Sequence, residues 1–323
     1  MPHAIKVHET GGPEVLKWVE VEVGAPGPRQ VKIRQDAAGL NFIDVYHRTG
    51  LYKQQLPFTP GVEGAGIVEA VGPAVENVKT GDRVTYASQI GGYAEERLIN
   101  ADRLVKLPPE VSTEQAAAMM LQGLTARMLL RAIHRVQSGE TILIHAAAGG
   151  VGLIVCQWAK TLGATVIGTV GSDEKAELAR SHGCDHPIVY TRQDFATEVE
   201  KITNGKKLPV VYDSVGRETF MKSLDCLAPR GLMVSFGNAS GPPEAIAPGL
   251  LSQKGSLFLT RPTLNDYIAS RQELEASAKD LFDVIASGKV RVEVKQRFKL
   301  KDAAEAHRAL EGRRTSGSTV LTI

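Results

Sequence analysis

Thr141-Ile142-Leu143-Ile144-His145-Ala146-Ala147-Ala148-Gly149-Gly150-Val151-Gly152 decides how this chain folds. The apolar run from Thr141 to Ala146 reads as a buried strand. It passes straight into Ala147-x-Gly149-x-x-Gly152, and the apolar stretch Leu153 to Leu162 that follows reads as a helix. Strand, turn and helix in this order form the dinucleotide-binding fingerprint, with Ala in place of the first glycine. Gly149 lets a pyrophosphate approach the backbone, and Gly152 lets the helix close on the strand. The helix start supplies N–H groups and the positive end of its dipole. Ala148, Gly149, Gly150 and Val151 are the candidate phosphate contacts.

Working outward, short β-branched runs alternate with helical segments: Thr165 to Val170, a helix from Asp173, Ile188 to Tyr190, a helix near Asp194 to Thr203, Val210 to Asp213, a helix from Glu218, and Leu232 to Phe236. That rhythm predicts βαβ units and a doubly wound parallel sheet. An NAD site puts Asp or Glu about 20 residues past the fingerprint, on the ribose hydroxyls. Here Gly171 and Ser172 fill that place, with Lys175 one turn on and Tyr190 ending the next strand. Small, uncharged residues beside a hydroxyl and a cation suit a 2′-phosphate, so the expected cofactor is NADPH. A slip of one or two residues in the count would make Asp173 the ribose ligand; it is read as the cap of the helix that starts there. Ligands in such sheets lie beyond the carboxyl ends of strands, which adds Phe236, Gly237 and Asn238 as contacts bordering the nicotinamide. Phe258 and Thr260 follow the same logic, and Arg313 is a further candidate for a phosphate.

The first third of the chain is broken by Gly and Pro, with strand-like runs at Gln30 to Gln35, Gly66 to Val71, Asp82 to Tyr86 and Ala94 to Ile99. A helical pattern takes over from Thr113 to Val136. Beyond Pro262 come a helix from Gln272 to Ser287, a strand from Val290 to Phe298, a helix from Ala303 to Glu311 and a strand from Thr319 to Ile323. This tail is too short to bury a core alone and lacks the βαβ rhythm, so it is expected to complete the N-terminal domain. The division predicted is 1–122 with 263–323 as one β-rich domain and 123–262 as the nucleotide domain.

Composition narrows the function. The 38 basic and 36 acidic side chains leave a net charge of +2, so no global field draws the protein onto nucleic acid or an anionic membrane. Three scattered cysteines make neither a disulfide framework nor a four-cysteine zinc lobe. No signal peptide or membrane span is read, and a cytoplasmic protein is expected. No Ser/His/Asp or Cys/His arrangement is evident. His145 reads as a core residue and His47 as an exposed one.

The segment Gly139-Glu140-x-x-Leu143-x-x-x-Ala147-Ala148-Gly149-Gly150-x-Gly152-x-x-x-x-Gln157-x-x-Lys160 resembles the signature of the quinone oxidoreductase (zeta-crystallin) branch of the medium-chain dehydrogenase/reductase superfamily. Ala38 to Asp44, Pro60 to Val68 and Ala306 to Glu311 resemble its other signatures, so the likeness covers nearly the whole chain. Before the last strand, Gly317-Ser318 stands where the family often has Gly-Lys. The resemblance implies a GroES-like catalytic domain beside the Rossmann domain. Zinc-dependent members place Cys in the segment of Asn41 and His in that of Gly61-Val62-Glu63. Neither ligand is present, and a catalytic zinc needs three protein ligands, so a metal-free reductase is expected. Its acceptor should take hydride readily: a quinone, or in the alternative an activated alkenal or enone. The resemblance further implies that Asn41, Tyr46 and Tyr52 face nicotinamide and acceptor across an interdomain cleft, that Gln122 and Thr125 touch the cofactor, and that Ser256 to Thr260 pairs with its counterpart in a homodimer. Some members of the branch bind nucleic acid or serve as structural lens proteins. Lys289, Arg291, Lys295, Arg297, Lys299 and Lys301, mostly alternating along one predicted strand, are the residues on which that third reading rests.

Overall fold

A computed structural model describes all 323 residues. They divide into two compact units, Met1–Leu124 with Ile268–Phe282 and Val292–Ile323, and Thr125–Tyr267 with Asp283–Arg291. Of the tail 263–323, residues 268–282 and 292–323 cluster with the N-terminal unit, while residues 263–267 and 283–291 cluster with the nucleotide-type unit.

The first unit opens with an antiparallel pair, β1 (His3–Lys6) and β2 (Lys17–Glu20). Its centre is the ten-residue β3 (Gln30–Gly39), followed by α1 (Phe42–Thr49), β4 (Glu63–Val71), β5 (Arg83–Ala87), β6 (Glu96–Asn100) and β7 (Val105–Lys106). β3 pairs with both β4 and β6, and its alternation puts Val31 and Ile33 into a core with Val68, Val84, Ile99 and Leu104. Each such buried aliphatic contributes about 1.5–3 kcal/mol. The helical stretch expected from Thr113 to Val136 is broken into α2 (Thr113–Ala117), α3 (Met120–Arg127) and a π-helical turn at Met128–Ile133.

The second unit contains β8 (Thr141–Ile144), α4 (Gly150–Thr161), β9 (Thr165–Val170), α5 (Asp173–Ser181), β10 (His186–Val189), α6 (Phe195–Ile202), β11 (Leu208–Asp213), α7 (Phe220–Asp225), β12 (Leu227–Ser235), α8 (Gly249–Gln253), β13 (Phe258–Thr260) and α9 (Leu264–Tyr267). All its strand pairs are parallel, in the order β10-β9-β8-β11-β12-β13. This is the doubly wound Rossmann arrangement, whose order reverses between β8 and β11 and opens a ligand crevice at their carboxyl ends. Leu143, Ile167, Ile188, Val211 and Met233 from the sheet bury against Phe195, Val199, Phe220 and Leu224 from the helices.

After α10 (Arg271–Ala286) come β14 (Val294–Lys299), α11 (Ala303–Glu311) and β15 (Ser318–Thr322). β15 lies between β14 and β3 in a seven-stranded sheet. The strand expected from Val290 begins only at Val294, because the preceding segment pairs with a side chain instead. Gln157 of α4 accepts from Arg291 N at 2.9 Å and donates to Arg291 O at 3.0 Å. Lys289 and Arg291 therefore do not share a strand face with Lys295, Arg297 and Lys299. Lys295 pairs with Glu293 and Arg297 with Glu114, so the continuous basic face expected for nucleic acid is not formed.

Candidate cofactor and active site

The turn after β8 is built for an anion. Ala146 takes a left-handed conformation (φ 56°), which swings the chain from strand to helix. Gly149 occupies the N-cap of α4 without a side-chain hydrogen bond to the first turn. The next helix starts differently: Ser172 Oγ caps α5 by accepting from Lys175 N at 3.3 Å. The N–H groups opening α4 are thus left to a ligand rather than to a cap. The two fingerprint glycines have separate tasks. A Cβ on Gly152 would stand 2.4 Å from Ala146 O, so the helix can seat only with glycine there. A Cβ on Gly149 would meet nothing nearer than Ala146 O at 3.2 Å, leaving that face open. His145 is buried between Thr169 Oγ1 and Ser223 Oγ, each at 2.8 Å, and stacks edge-on against Phe195; burial lowers its pKa.

At the carboxyl ends of β9 and β10 the structure gathers Gly171, Ser172, Lys175 and Tyr190. The two strands pair in parallel, and Tyr190 N donates to Val170 O at 3.1 Å. The Tyr190 hydroxyl sits over Gly171, 3.0 Å from where a Cβ would be. Asp173 is not the cap expected of it. Ser172 holds that role, and Asp173, the first residue of α5, forms a two-point ion pair with Arg192. The Arg192 hydrogen bond holds the Asp173 carboxyl below its ordinary pKa.

Phe236 follows β12, its N–H donating to Asp213 O at 2.7 Å, and the turn continues through Gly237 to the buried Asn238. Asp213 shapes the neighbouring loop by accepting from Val215 N at 2.7 Å, Gly216 N at 3.1 Å and Thr219 Oγ1. These residues lie at the carboxyl ends of β11 and β12. Phe258 and Thr260 lie on the edge strand β13, where Thr260 pairs with Val234 near the carboxyl end of β12, and Phe258 is 61% exposed. Thr125 lies in α3, and Arg313 belongs to the other unit, just past the end of α11.

In the first unit Asn41 caps α1. Its N–H donates to Asp44 Oδ2 at 2.9 Å, closing a capping box. Its amide is held on both sides: Nδ2 donates to Glu63 Oε2 at 2.8 Å, and Oδ1 accepts from Gln122 Nε2 at 3.3 Å. Gln122 in turn accepts from Ser318 Oγ at 2.7 Å, and Glu63 accepts from Leu121 N at 2.6 Å. The chain Glu63–Asn41–Gln122–Ser318 fixes the face that Asn41 presents. Burial raises Glu63 to about 8, against the opposing pull of the N–H donors around it. Burial likewise raises Asp44 to about 7, although Tyr93 Oη donates to it at 2.9 Å. Tyr46 is buried and packs edge-on against the half-buried Tyr52, ring centroids 5.2 Å apart, and Tyr52 N donates to Tyr46 O at 3.0 Å.

His47, expected at the surface, is buried, and desolvation lowers its pKa to about 4. Its ring packs 6.2 Å from that of Tyr52. Arg48 is drawn inside by Gly11 O, His307 Nδ1 and both oxygens of Glu311, so α1 is enclosed on most sides. No group of three or more His, Cys, Asp or Glu side chains has an arrangement that could hold a metal ion.

Known proteins fit this geometry. Residues 27–109 match the alcohol dehydrogenase GroES-like domain family and residues 150–283 the zinc-binding dehydrogenase family. A quinone oxidoreductase of Pseudomonas aeruginosa is 54% identical over 99% of both chains. The chain belongs to the quinone oxidoreductase branch of the medium-chain dehydrogenase/reductase superfamily. Within that branch, the crystal structure of Escherichia coli quinone oxidoreductase complexed with NADPH aligns with a TM-score of 0.98 at 49% identity, covering 99% of this chain and all of the other. A 2-haloacrylate reductase of a Burkholderia species is 47% identical over 99% of both chains.

Against this quinone oxidoreductase background, three residues gain roles that the sequence left open. Glu63, inside the stretch Pro60 to Val68, anchors Asn41. Ser318, where the family often has Lys, completes the hydrogen-bond chain through Gln122. Arg192 stands two residues past Tyr190, and only the approach of two loops reveals that it answers Asp173.

Proposed function

We propose that the protein is an NADPH-dependent quinone reductase that works without a metal. The observation that carries this reading is the open, uncapped start of α4 at the switch point of the sheet, beside a β9 end that offers a hydroxyl and a cation in place of an unpaired carboxylate. NADPH supplies a hydride when bound. The N–H groups of Gly150, Val151 and Gly152, with Ala148 and Gly149 lining the turn, take the pyrophosphate. Gly171, Ser172, Lys175 and Tyr190 take the 2′-phosphate, and Phe236, Gly237 and Asn238 border the nicotinamide. Asn41, locked by Glu63 and Gln122, presents one fixed amide face to cofactor or acceptor. Gln122 positions it and Thr125 adds a contact. Tyr46 and Tyr52 supply flat walls for a planar acceptor, and the Tyr52 hydroxyl gives a proton to its oxygen. Asn41 and Val62 stand where zinc-dependent members carry ligands, so the acceptor must take hydride without a Lewis acid.

Two further parts of the reading concern assembly and location. β13 is an edge strand with Phe258 and Leu259 61% and 38% exposed, the kind of edge that a second copy covers. We assign a homodimer on that strand, with Phe258 at the interface and Thr260, beside the end of β12, kept as a cofactor contact. The three free, buried cysteines suit a reducing cytoplasm, and no helix is long and apolar enough to cross a membrane.

Steady-state rates with quinones and alkenals, each with NADPH and NADH, test the function. Rapid, NADPH-dependent quinone turnover is expected, with Lys175→Ala raising the KM for NADPH about tenfold. Negligible quinone turnover beside rapid reduction of electron-poor alkenes would favour the second reading. That reading draws on the relative named for a 2-haloacrylate, whose C=C bond is activated.

A further inference from the structure

A dinucleotide-binding fold that selects NADH has its carboxylate at the end of this strand, where Gly171 and Ser172 stand, and Asp173 follows directly after them. An unpaired Asp173 would repel a 2′-phosphate, in conflict with the cation and hydroxyl beside it. The structure resolves the conflict through Arg192. Its Nη1 donates to Asp173 Oδ2 at 2.6 Å and its Nη2 to Oδ1, so both carboxylate oxygens are engaged by one planar fork. The partners come from the loops after β9 and β10, which also carry Ser172, Lys175 and Tyr190. Arg192 is tied down by its own N–H donating to Val189 O at 3.1 Å. Both side chains are open to solvent, 57% for Arg192 and 72% for Asp173, so a ligand phosphate can reach the guanidinium.

We propose that the Asp173–Arg192 pair is a specificity switch: Arg192 cancels the carboxylate that would reject NADPH and adds its own cation to the 2′-phosphate subsite. The inference rests on the reading of this loop pair as that subsite. Asp173, Glu174 and Lys175 alone sum to one negative charge; with Arg192 the local charge is zero. A guanidinium fork suits phosphate as well as carboxylate, so the residue can keep Asp173 masked or turn to the ligand. Neither Asp173 nor Arg192 is needed for the core, and their replacement should leave the fold intact.

The test is equilibrium binding, which needs no turnover. NADPH and NADH are titrated by their own fluorescence, and 2′,5′-ADP and 5′-ADP by calorimetry, with wild type, Arg192→Ala, Asp173→Ala and the double variant, at low and at moderate salt. For Arg192→Ala the NADPH-to-NADH affinity ratio should fall about five- to tenfold at low salt, from one charge lost near a phosphate dianion. The 2′,5′-ADP affinity should fall in parallel and 5′-ADP stay within twofold. Asp173→Ala should hold or raise the ratio, and the double variant should recover most of the loss. An unchanged ratio in Arg192→Ala overturns the proposal. So does a double variant as impaired as Arg192→Ala, because Arg192 would then act without regard to Asp173. A wild type that does not prefer NADPH overturns instead the reading of the subsite on which the proposal rests.

Discussion

The nucleotide-type unit holds its candidate ligand site largely with backbone, and the N- and C-terminal unit holds its own largely with side chains. At α4 the material is an open helix start, a left-handed Ala146 and two glycines. Around Asn41 it is a chain of amide, carboxyl and hydroxyl groups closed inside the protein. A backbone site depends on where side chains are missing, so a single Cβ is enough to spoil it. A side-chain site depends on every partner being present, so it fails by leaving a donor or acceptor orphaned.

Three substitutions probe that contrast, from the largest expected effect to the smallest. Gly152→Val should destabilise the protein by at least about 3 kcal/mol, seen as a large fall in Tm, because its Cβ would collide with the Ala146 carbonyl and the Ala147 backbone. A Tm close to wild type would mean that the helix can lift off the strand, and that this turn is not held by close approach.

The second concerns Glu63. Its pKa rises from an ordinary 4.5 to about 8 because burial disfavours the charged form. The folded state therefore binds a proton more tightly than the unfolded chain, and the sign follows: the Glu63 contribution is fully present below about pH 4.5 and is lost as pH climbs through about 8. Glu63→Gln should be less stable than wild type by about 1–3 kcal/mol at pH 5, because its amide turns an NH2 toward the Asn41 or Leu121 donor. Its Tm should also fall less steeply between pH 5 and 9. Parallel pH profiles for the two proteins would show that Glu63 does not titrate in this range.

The smallest stability effect belongs to Gly149→Ala. Its Cβ has only the Ala146 carbonyl nearby, at 3.2 Å, so Tm should move by an amount equivalent to less than about 1 kcal/mol. NADPH affinity measured by fluorescence titration should nevertheless drop about tenfold, since the methyl group enters the pyrophosphate's approach. Equal losses of stability and affinity would erase the distinction between the two glycines.

The same contrast explains what could be read in the sequence. Glycine spacing is a local signal, so the fingerprint, the strand rhythm and Gly171-Ser172 with Lys175 were all legible from a few dozen consecutive residues. Side-chain networks join distant positions. Arg48 meets His307 and Glu311 across some 260 residues, and nothing near α1 announced that its histidine would be enclosed. Gln122 and Asn41 were singled out through family resemblance, but the Glu63 and Ser318 that lock them were not. The false strand start at Val290 has the opposite origin. Val290 and Val292 do alternate with charged residues and are buried, yet their segment crosses from one unit to the other and takes its backbone partner from Gln157. Alternation reports burial, and here burial was mistaken for a ladder.

The position of β15 between β14 and β3 has a consequence for synthesis. As the chain leaves the ribosome, residues 125–267 supply a complete parallel sheet while the first unit still lacks the strand that joins β14 to β3. Until residues 318–322 have been made, β3 carries an unpaired edge along Ala37 to Gly39. The first unit can therefore close its sheet only after this strand has been made, and until then β3 is open to mispairing along that edge.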